Sequence, residues 1–148
     1  MNELNGYDIE DLEPGMTARF AKTITEADIV LFAGVSGDNN AMHINEDFAA
    51  ATPFGGRIAH GFLTASTISA AIATRMPGPG TVYVAQEMRF VGPVRPGDTV
   101  TAEVTVKEVL RDRNRVILTT TCHVGDRMVV DGQATVRTTS RARRQAAE

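Results

Sequence analysis

The sequence has a single cysteine, Cys122, among its 148 residues. One thiol forms no internal disulfide and has no partner for a cysteine-based metal site, so a reducing compartment is favoured. The acidic amino-terminal residues lack the basic and apolar regions of a signal peptide. No apolar run approaches the length that spans a bilayer. We therefore expect a cytoplasmic protein with no membrane partner.

The chain also lacks a strong excess of charge of either sign. Charged residues make up 22% of the sequence and the formal net charge is -3, so the overall charge does not attract nucleic acid. The hydrophobic fraction of 43% is ordinary for a soluble domain with a real core. There is no repeat and no low-complexity linker. We expect one domain over residues 1–139, followed by a flexible basic tail over 140–148.

The carboxyl-terminal half alternates apolar and polar side chains, which is typical of strands with one buried face. This pattern predicts strands over residues 99–107, 116–124 and 127–138, and a turn signal predicts another over 16–24. Short polar turns between successive strands favour antiparallel pairing. The apolar positions of the first run are Val100, Ala102, Val104 and Val106.

Residues 61–75 predict a helix of another kind, because its middle contains small and apolar residues and no charge. A surface helix would carry a charged face, so this one is expected to be central and surrounded by protein. Thr25 and Gly37 predict the start and end of an earlier helix that buries Ile29, Val30, Phe32 and Ala33. A second short helix is expected over 46–52. One buried helix laid across an antiparallel sheet is an α+β layout.

Asp38 and His43 are the first candidates for chemistry. Both lie in a polar, turn-rich loop between two predicted helices. A carboxylate and an imidazole within hydrogen-bond reach of one water molecule can activate it and return a proton. The structural alternative is that Asp38 serves the turn itself, through hydrogen bonds from its side chain to the backbone.

His60 and Gly61, at the start of the predicted central helix, are the second candidates. Free N–H groups at a helix amino terminus stabilise developing negative charge, as a thioester carbonyl that becomes an enolate would require. Glycine at position 61 lets a ligand approach the backbone closely. The alternative is that Gly61 permits tight packing while His60 satisfies the neighbouring loop.

Three segments of the sequence, which include these candidates, together resemble a known family in the same order along the chain. The order of Gly37, Asp38, Asn40 and His43, within a stretch that runs from residue 32 to 49, resembles the hydratase signature of MaoC-like proteins. Residues 58–63 are similar to the family's segment at the entry to its central helix. Further similar positions are Tyr83, Gln86, Phe90, Pro93, Val94, Gly97 and Asp98. The resemblance implies a hot-dog fold, in which an antiparallel sheet wraps around a long helix, and (R)-specific hydration of enoyl-CoA.

The resemblance also implies roles for individual residues. Asp38 and His43 would hold the attacking water, with Asn40 orienting the pair. The N–H of Gly61 would bind the thioester oxygen. His60 is expected beside the substrate or in support of the site, and Ser69 on the central helix is expected to support the catalytic loop by hydrogen bonding.

The chain departs from the family at one position, where Ala41 replaces a proline that commonly follows the asparagine. This change costs up to about 1 kcal/mol by loosening the unfolded loop, but it removes no reacting group.

We expect no cofactor, and we expect no metal because His43, His60 and His123 do not show a metal-ligand spacing. The expected substrate is an acyl-CoA thioester. A single-layer sheet that leaves a face and an edge uncovered suggests a homodimer, which the family resemblance also implies. Three alternatives remain open: a dehydratase acting on an acyl carrier protein, an acyl-CoA thioesterase of the same fold, and a non-catalytic acyl-thioester binding module.

Overall fold

The computed structural model describes residues 1–147 and has the α+β layout that the sequence predicts. A 3-10 turn at Ile9–Asp11 precedes the main elements. The strands are β1 (Thr17–Thr23), β2 (Val82–Phe90), β3 (Thr99–Leu110), β4 (Arg115–Val124) and β5 (Arg127–Arg137). The helices are α1 (Glu26–Ser36), α2 (Ala41–Ile44), α3 (Glu46–Ala50), α4 (Gly61–Thr74) and α5 (Arg141–Gln145).

The five strands form one antiparallel sheet in the order β1-β3-β4-β5-β2. Alternate side chains of the central strands are buried, as the period-two pattern predicted. Cys122 belongs to this buried set and pairs across the strands with Ala102 and Val130. Burial raises the pKa of the Cys122 thiol, so this residue acts as a small core side chain.

Helix α4 lies against the sheet and contacts β1, β3 and β4. Its buried side chains are Leu63, Thr64, Ala65, Thr67, Ile68, Ala71 and Ile72. The opposite face is open in the single chain, where Phe62, Ser66 and Ser69 are exposed. Burial in the core therefore explains why one face of α4 carries no charge, but it does not explain the lack of charge on the exposed face. Within residues 1–147 no helix combines the length and apolarity needed to cross a bilayer.

Local signals fix the ends of α1. The Thr25 hydroxyl accepts a hydrogen bond from the Asp28 N–H, and the Asp28 carboxylate accepts one from the Thr25 N–H, which forms a capping box. Gly37 ends the helix with φ 79°, a left-handed conformation that favours glycine. The chain is thereby turned out of the helix directly before Asp38.

Three features differ from the sequence prediction. Strand β2 was not predicted, because most of its side chains are exposed at the sheet edge and its pattern does not alternate. The four-residue helix α2 was also missed, since so short an element has no periodicity to detect. Val30 was expected in the core but is 62% exposed, because only one face of α1 packs against the protein.

The two ends of the chain are held together by ion pairs. Arg144 on α5 donates two hydrogen bonds to the buried Asp8 carboxylate, at 2.8 and 2.9 Å. The Asp11 carboxylate contacts Arg141 and the chain's amino group. The tail thus begins with a short docked helix, although residue 148 lies outside the described residues. The division into a domain over 1–139 and a flexible tail over 140–148 stays a prediction.

These contacts predict that the protein loses stability in acid. The hydrogen bond from Arg144 lowers the pKa of Asp8, and Arg141 with the amino terminus lowers that of Asp11 to about 2, from 3.8. A carboxylate with a lowered folded-state pKa stabilises the fold above its unfolded pKa and loses that contribution as the pH falls. We expect the free energy of unfolding to decrease between about pH 4 and 2.

Arg144→Ala should lower Tm by several degrees at pH 7, and the difference from the wild type should narrow as the pH falls below 3.8, the ordinary pKa of an aspartate, because the ion pair with Asp8 then contributes less to stability. The matched control is Arg143→Ala, because the one hydrogen bond of the Arg143 guanidinium among the described residues is a long one, 3.4 Å, to the Asp112 carbonyl. Thermal unfolding followed by circular dichroism measures both variants. Equal Tm values for the two variants at pH 7 would contradict this account.

Candidate active site

His43 is placed by α2 and by one hydrogen bond from the segment that leads into α4. Its Nδ1 lies 2.8 Å from the backbone carbonyl oxygen of Ile58. Because a carbonyl only accepts, this contact assigns the proton to Nδ1 and leaves a lone pair on Nε2. The side chain is only 11% exposed. The ring is therefore fixed in both orientation and tautomer.

Asp38 follows the left-handed Gly37 and faces the free side of this imidazole. Its Oδ2 lies 4.0 Å from His43 Nε2, which is too long for a direct hydrogen bond. A water molecule between the two atoms can bond to both at about 2.8 Å. The Asp38 side chain is 49% exposed, so solvent reaches the pair. The structure thus brings together the two residues that were the first candidates in the sequence.

Asn40 connects the pair through the backbone. Its side-chain oxygen accepts a hydrogen bond from Met42 N at 3.1 Å and so begins α2, the helix that carries His43. Its own N–H donates to Asp38 Oδ1 at 3.2 Å. Asn40 thus contacts one member of the pair and starts the helix that places the other, which agrees with the orienting role expected from the resemblance.

Gly61 is the first residue of α4, and its N–H has no partner inside the helix. The first helical hydrogen bond runs from Thr64 N to His60 O, at 3.2 Å. A side chain at position 61 would collide with the Phe90 ring, since a Cβ there would lie 2.8 Å from one of its carbons. Glycine therefore leaves room beside a backbone donor at the positive end of the helix dipole.

A cavity of about 490 Å³ opens beside His43 and Gly61. Its walls are mostly apolar side chains from the loop before α4, the first turn of α4, the end of β2 with the loop that follows it, and the beginning of β5. They include Phe54, Ile58, Phe62, Phe90, Val91, Val94, Val129 and Val130. The Phe62 and Phe90 rings form a tilted pair with centroids 5.6 Å apart. Such a space suits a hydrocarbon chain whose polar end meets the imidazole and the free amide.

His60 lies next to this arrangement, as expected. It is 1% exposed, its Nε2 donates to the Asp38 backbone oxygen at 2.9 Å, and its ring centroid is 3.9 Å from that of His43.

Ser69 is not brought to the loop within one protomer. It lies eight residues beyond Gly61, about 12 Å along the helix axis, and its exposed hydroxyl makes no hydrogen bond with residues 1–147.

Asp38, His43 and His60 each offer a possible ligand atom, and these atoms lie within 4.8 Å of one another. Two of the four imidazole nitrogens are already engaged with carbonyl oxygens. The ring centroids are 3.9 Å apart and the ring planes are tilted by 31°. The cluster is better suited to holding a hydrogen-bonded water than a tetrahedral metal.

The family model described as a MaoC like domain matches residues 11–128. This chain belongs to the MaoC-like family. The predicted family is thus confirmed. The catalytic roles of the aspartate, asparagine, histidine and glycine described above stay a prediction.

Several known proteins resemble this chain over most of its length. A curated protein of Rhodospirillum rubrum named (R)-specific enoyl-CoA hydratase is 52% identical over 132 residues, which cover 89% of this chain and 92% of that protein. A protein of Methylorubrum extorquens named 3-hydroxybutyryl-CoA dehydratase is 50% identical over 135 residues, which cover 91% of this chain and 86% of that protein. The unliganded R-hydratase of Pseudomonas aeruginosa superposes with a TM-score of 0.86 at 43% identity, over 91% and 87% of the two chains. The predicted hot-dog fold is confirmed.

Two contributions to this MaoC-like site escaped the sequence analysis. The Ile58 carbonyl that orients His43 is a backbone group, and no residue type reveals it. Phe90 is among the positions that carry the resemblance, but its contact with Gly61 was not predicted, because it comes from the end of β2, the strand that the pattern did not show. Both could have been found only by knowing which segments meet.

The hydrogen-bond pattern predicts opposite tautomers for the two stacked histidines. His43 should carry its proton on Nδ1, because that atom faces the Ile58 carbonyl, and His60 should carry it on Nε2, which faces the Asp38 carbonyl. Long-range ¹H–¹⁵N correlation spectra at neutral pH distinguish the tautomers, and His43→Gln and His60→Gln assign the signals. A proton on Nε2 of His43 would contradict the site geometry.

Proposed function

We propose that this protein hydrates trans-2-enoyl-CoA to (R)-3-hydroxyacyl-CoA without a cofactor. One observation carries the proposal: the Asp38 carboxylate and His43 Nε2 lie 4.0 Å apart, next to a helix-terminal N–H that has no partner in its helix. The cavity beside them is apolar. The names of the relatives from Rhodospirillum rubrum and Methylorubrum extorquens support the same chemistry.

Binding of the thioester supplies the first part of the mechanism. The acyl chain occupies the apolar cavity, and the thioester oxygen accepts a hydrogen bond from Gly61 N–H. This bond, aided by the dipole of α4, draws electron density from the conjugated double bond and stabilises the enolate that forms during addition. The β-carbon becomes electrophilic as a result.

Water addition is the second part. Both Asp38 and His43 accept hydrogen bonds from the water, whose oxygen attacks the β-carbon. The proton released by the water is taken up by the pair and returned to the α-carbon, so that H and OH are added across the double bond. Because one water and one pair of groups act from a single side, addition is syn. The developing negative charge meets only the helix dipole and the amide, so neither a metal nor an organic cofactor is required.

The reverse reaction, dehydration of a 3-hydroxyacyl thioester, uses the same groups and is the second candidate. The name of the Methylorubrum extorquens relative favours it. The thioesterase alternative is less favoured, because such enzymes commonly place an acid on the central helix. Helix α4 contains no acidic residue.

The homodimer is also a proposal, and it rests on the contrast between the two sheet edges. The first half of β2 exposes Val82 and Val84 at one edge, and the charged residues of this strand, Glu87 and Arg89, lie in its second half, whereas β1 carries Arg19 and Lys22 along the other edge. Charged side chains discourage edge pairing and apolar ones permit it. Two copies that pair β2 against β2 bury this edge and supply cover for the open face of α4.

The test of the function is hydration of crotonyl-CoA and longer enoyl-CoAs, followed as loss of conjugated absorbance. Asp38→Asn and His43→Gln should each lower kcat by at least about 10³-fold, because general acid–base groups contribute on that scale. Their circular dichroism spectra should match the wild type. Cys122→Ser is the matched control, since the thiol lies in the core and touches no reacting group. Wild-type turnover in either Asp38→Asn or His43→Gln would refute the mechanism.

Val84→Arg should convert the dimer to a monomer of about 15.9 kDa, because a charge is placed in the proposed apolar edge. Thr119→Arg introduces the same side chain at an exposed position of β4, away from both edges, and should leave the dimer intact. Light scattering coupled to size-exclusion chromatography measures both masses. A wild-type monomer, or an unchanged Val84→Arg dimer, would contradict this interface.

A further inference from the structure

His60 occupies the N-cap position of α4 but does not cap the helix. Its side chain makes no hydrogen bond to the helix backbone. At the same position of the other α-helices, the side chains of Thr25, Asn40, Asn45 and Ser140 accept a hydrogen bond from the backbone of the helix that they precede. The His60 side chain is therefore committed to contacts outside its own helix.

Its main polar contact crosses to the catalytic loop. Nε2 donates to the Asp38 backbone oxygen at 2.9 Å, across 22 residues of sequence. With 1% exposure, the ring holds this bond away from competing water, and the Asp38 loop is tied to the residue that precedes Gly61. No other hydrogen bond within residues 1–147 joins residues 37–40 to the start of α4.

Two ring contacts fix the imidazole in place. The ring lies between Phe32, at a centroid distance of 4.9 Å, and His43, at 3.9 Å. Nδ1 is buried and has no hydrogen-bond partner among the described residues. Burying an unpaired nitrogen costs free energy, and a phenyl ring would fill the same slot without that cost. Packing alone therefore does not account for histidine here, whereas the bond from Nε2 does.

We infer that His60 is a positioning residue, whose Nε2–H holds the Asp38 backbone against the start of α4 and so fixes the distance from the water-binding pair to the Gly61 amide. The inference rests on the proposed function for its effect on turnover. Its structural content is independent of that function, because the bond also restrains the loop in the absence of substrate. His60 itself touches no reacting atom in this account.

Two isosteric variants separate the hydrogen bond from the ring. The amide nitrogen of glutamine lies about as far from Cα as Nε2 of histidine, and that of asparagine about as far as Nδ1. His60→Gln keeps a donor for the Asp38 carbonyl, whereas the donor of His60→Asn does not reach this carbonyl, because the asparagine side chain is too short. His60→Phe keeps the ring contacts and has no donor. His123→Gln, on a partly exposed strand position outside the site, controls for loss of a histidine.

Three measurements apply to each variant: kcat and KM with crotonyl-CoA, hydrogen exchange of the backbone amides of residues 37–43, and Tm. We expect His60→Asn and His60→Phe to lower kcat by about 10- to 100-fold with little change in KM, since small misplacements of a reacting group have costs of this size. Amide exchange of the loop should accelerate in the same two variants. His60→Gln should stay close to the wild type in both readouts.

Equal kcat values and equal exchange rates in His60→Gln and His60→Asn would overturn the inference, because a merely structural role affects both variants alike. Wild-type exchange of the loop in His60→Phe would do the same. If the wild type does not hydrate any enoyl-CoA, the proposed function fails, and the exchange comparison still decides whether the His60 bond restrains the loop.

Discussion

The geometry of the site depends on the hydrogen bond between His43 Nδ1 and the Ile58 carbonyl, at 2.8 Å. This contact sets the tautomer of the imidazole and turns its Nε2 lone pair towards Asp38. It also joins α2 to the segment that enters α4, so the imidazole and the Gly61 amide are placed by neighbouring parts of the chain. Without this bond the imidazole could rotate, and the distance of 4.0 Å between Nε2 and the Asp38 carboxylate would not be maintained.

The core supports this contact by packing α4 firmly against the sheet. The apolar face of α4 packs against β1, β3 and β4, and the uncharged helix can be buried at little cost in desolvation. A buried helix directs its unpaired amino-terminal N–H groups to one end, where a ligand can meet them. The same lack of charge leaves the opposite face free for a second copy. Core packing, the amide donor and the proposed dimer thus follow from one segment of sequence.

The sequence predicted the features that short-range patterns encode. The strands with one buried face, the uncharged helix and the turn at Gly37 are all found in the structure, and the family resemblance pointed to Asp38, His43 and Gly61 before they were seen together. The edge strand β2 could not be predicted, because most of its side chains are exposed and its apolar and polar residues do not alternate. The sequence indicated that His60 could satisfy a neighbouring loop, but its partner, the Asp38 carbonyl, and the Ile58 carbonyl beside His43 are backbone groups that only tertiary packing identifies. Ser69 shows the limit of transfer from a family, since helix geometry separates it from the loop within one chain.

The central claim is that one water, held by Asp38 and His43 on one side of the substrate, supplies both the oxygen and the returned proton. Hydration of crotonyl-CoA in D₂O tests this most directly, with the product analysed by NMR for the relative configuration of deuterium at C2 and hydroxyl at C3. The account predicts a single (R)-3-hydroxy product with deuterium added syn to the hydroxyl. Anti addition, or a mixture of configurations at C2, would contradict it.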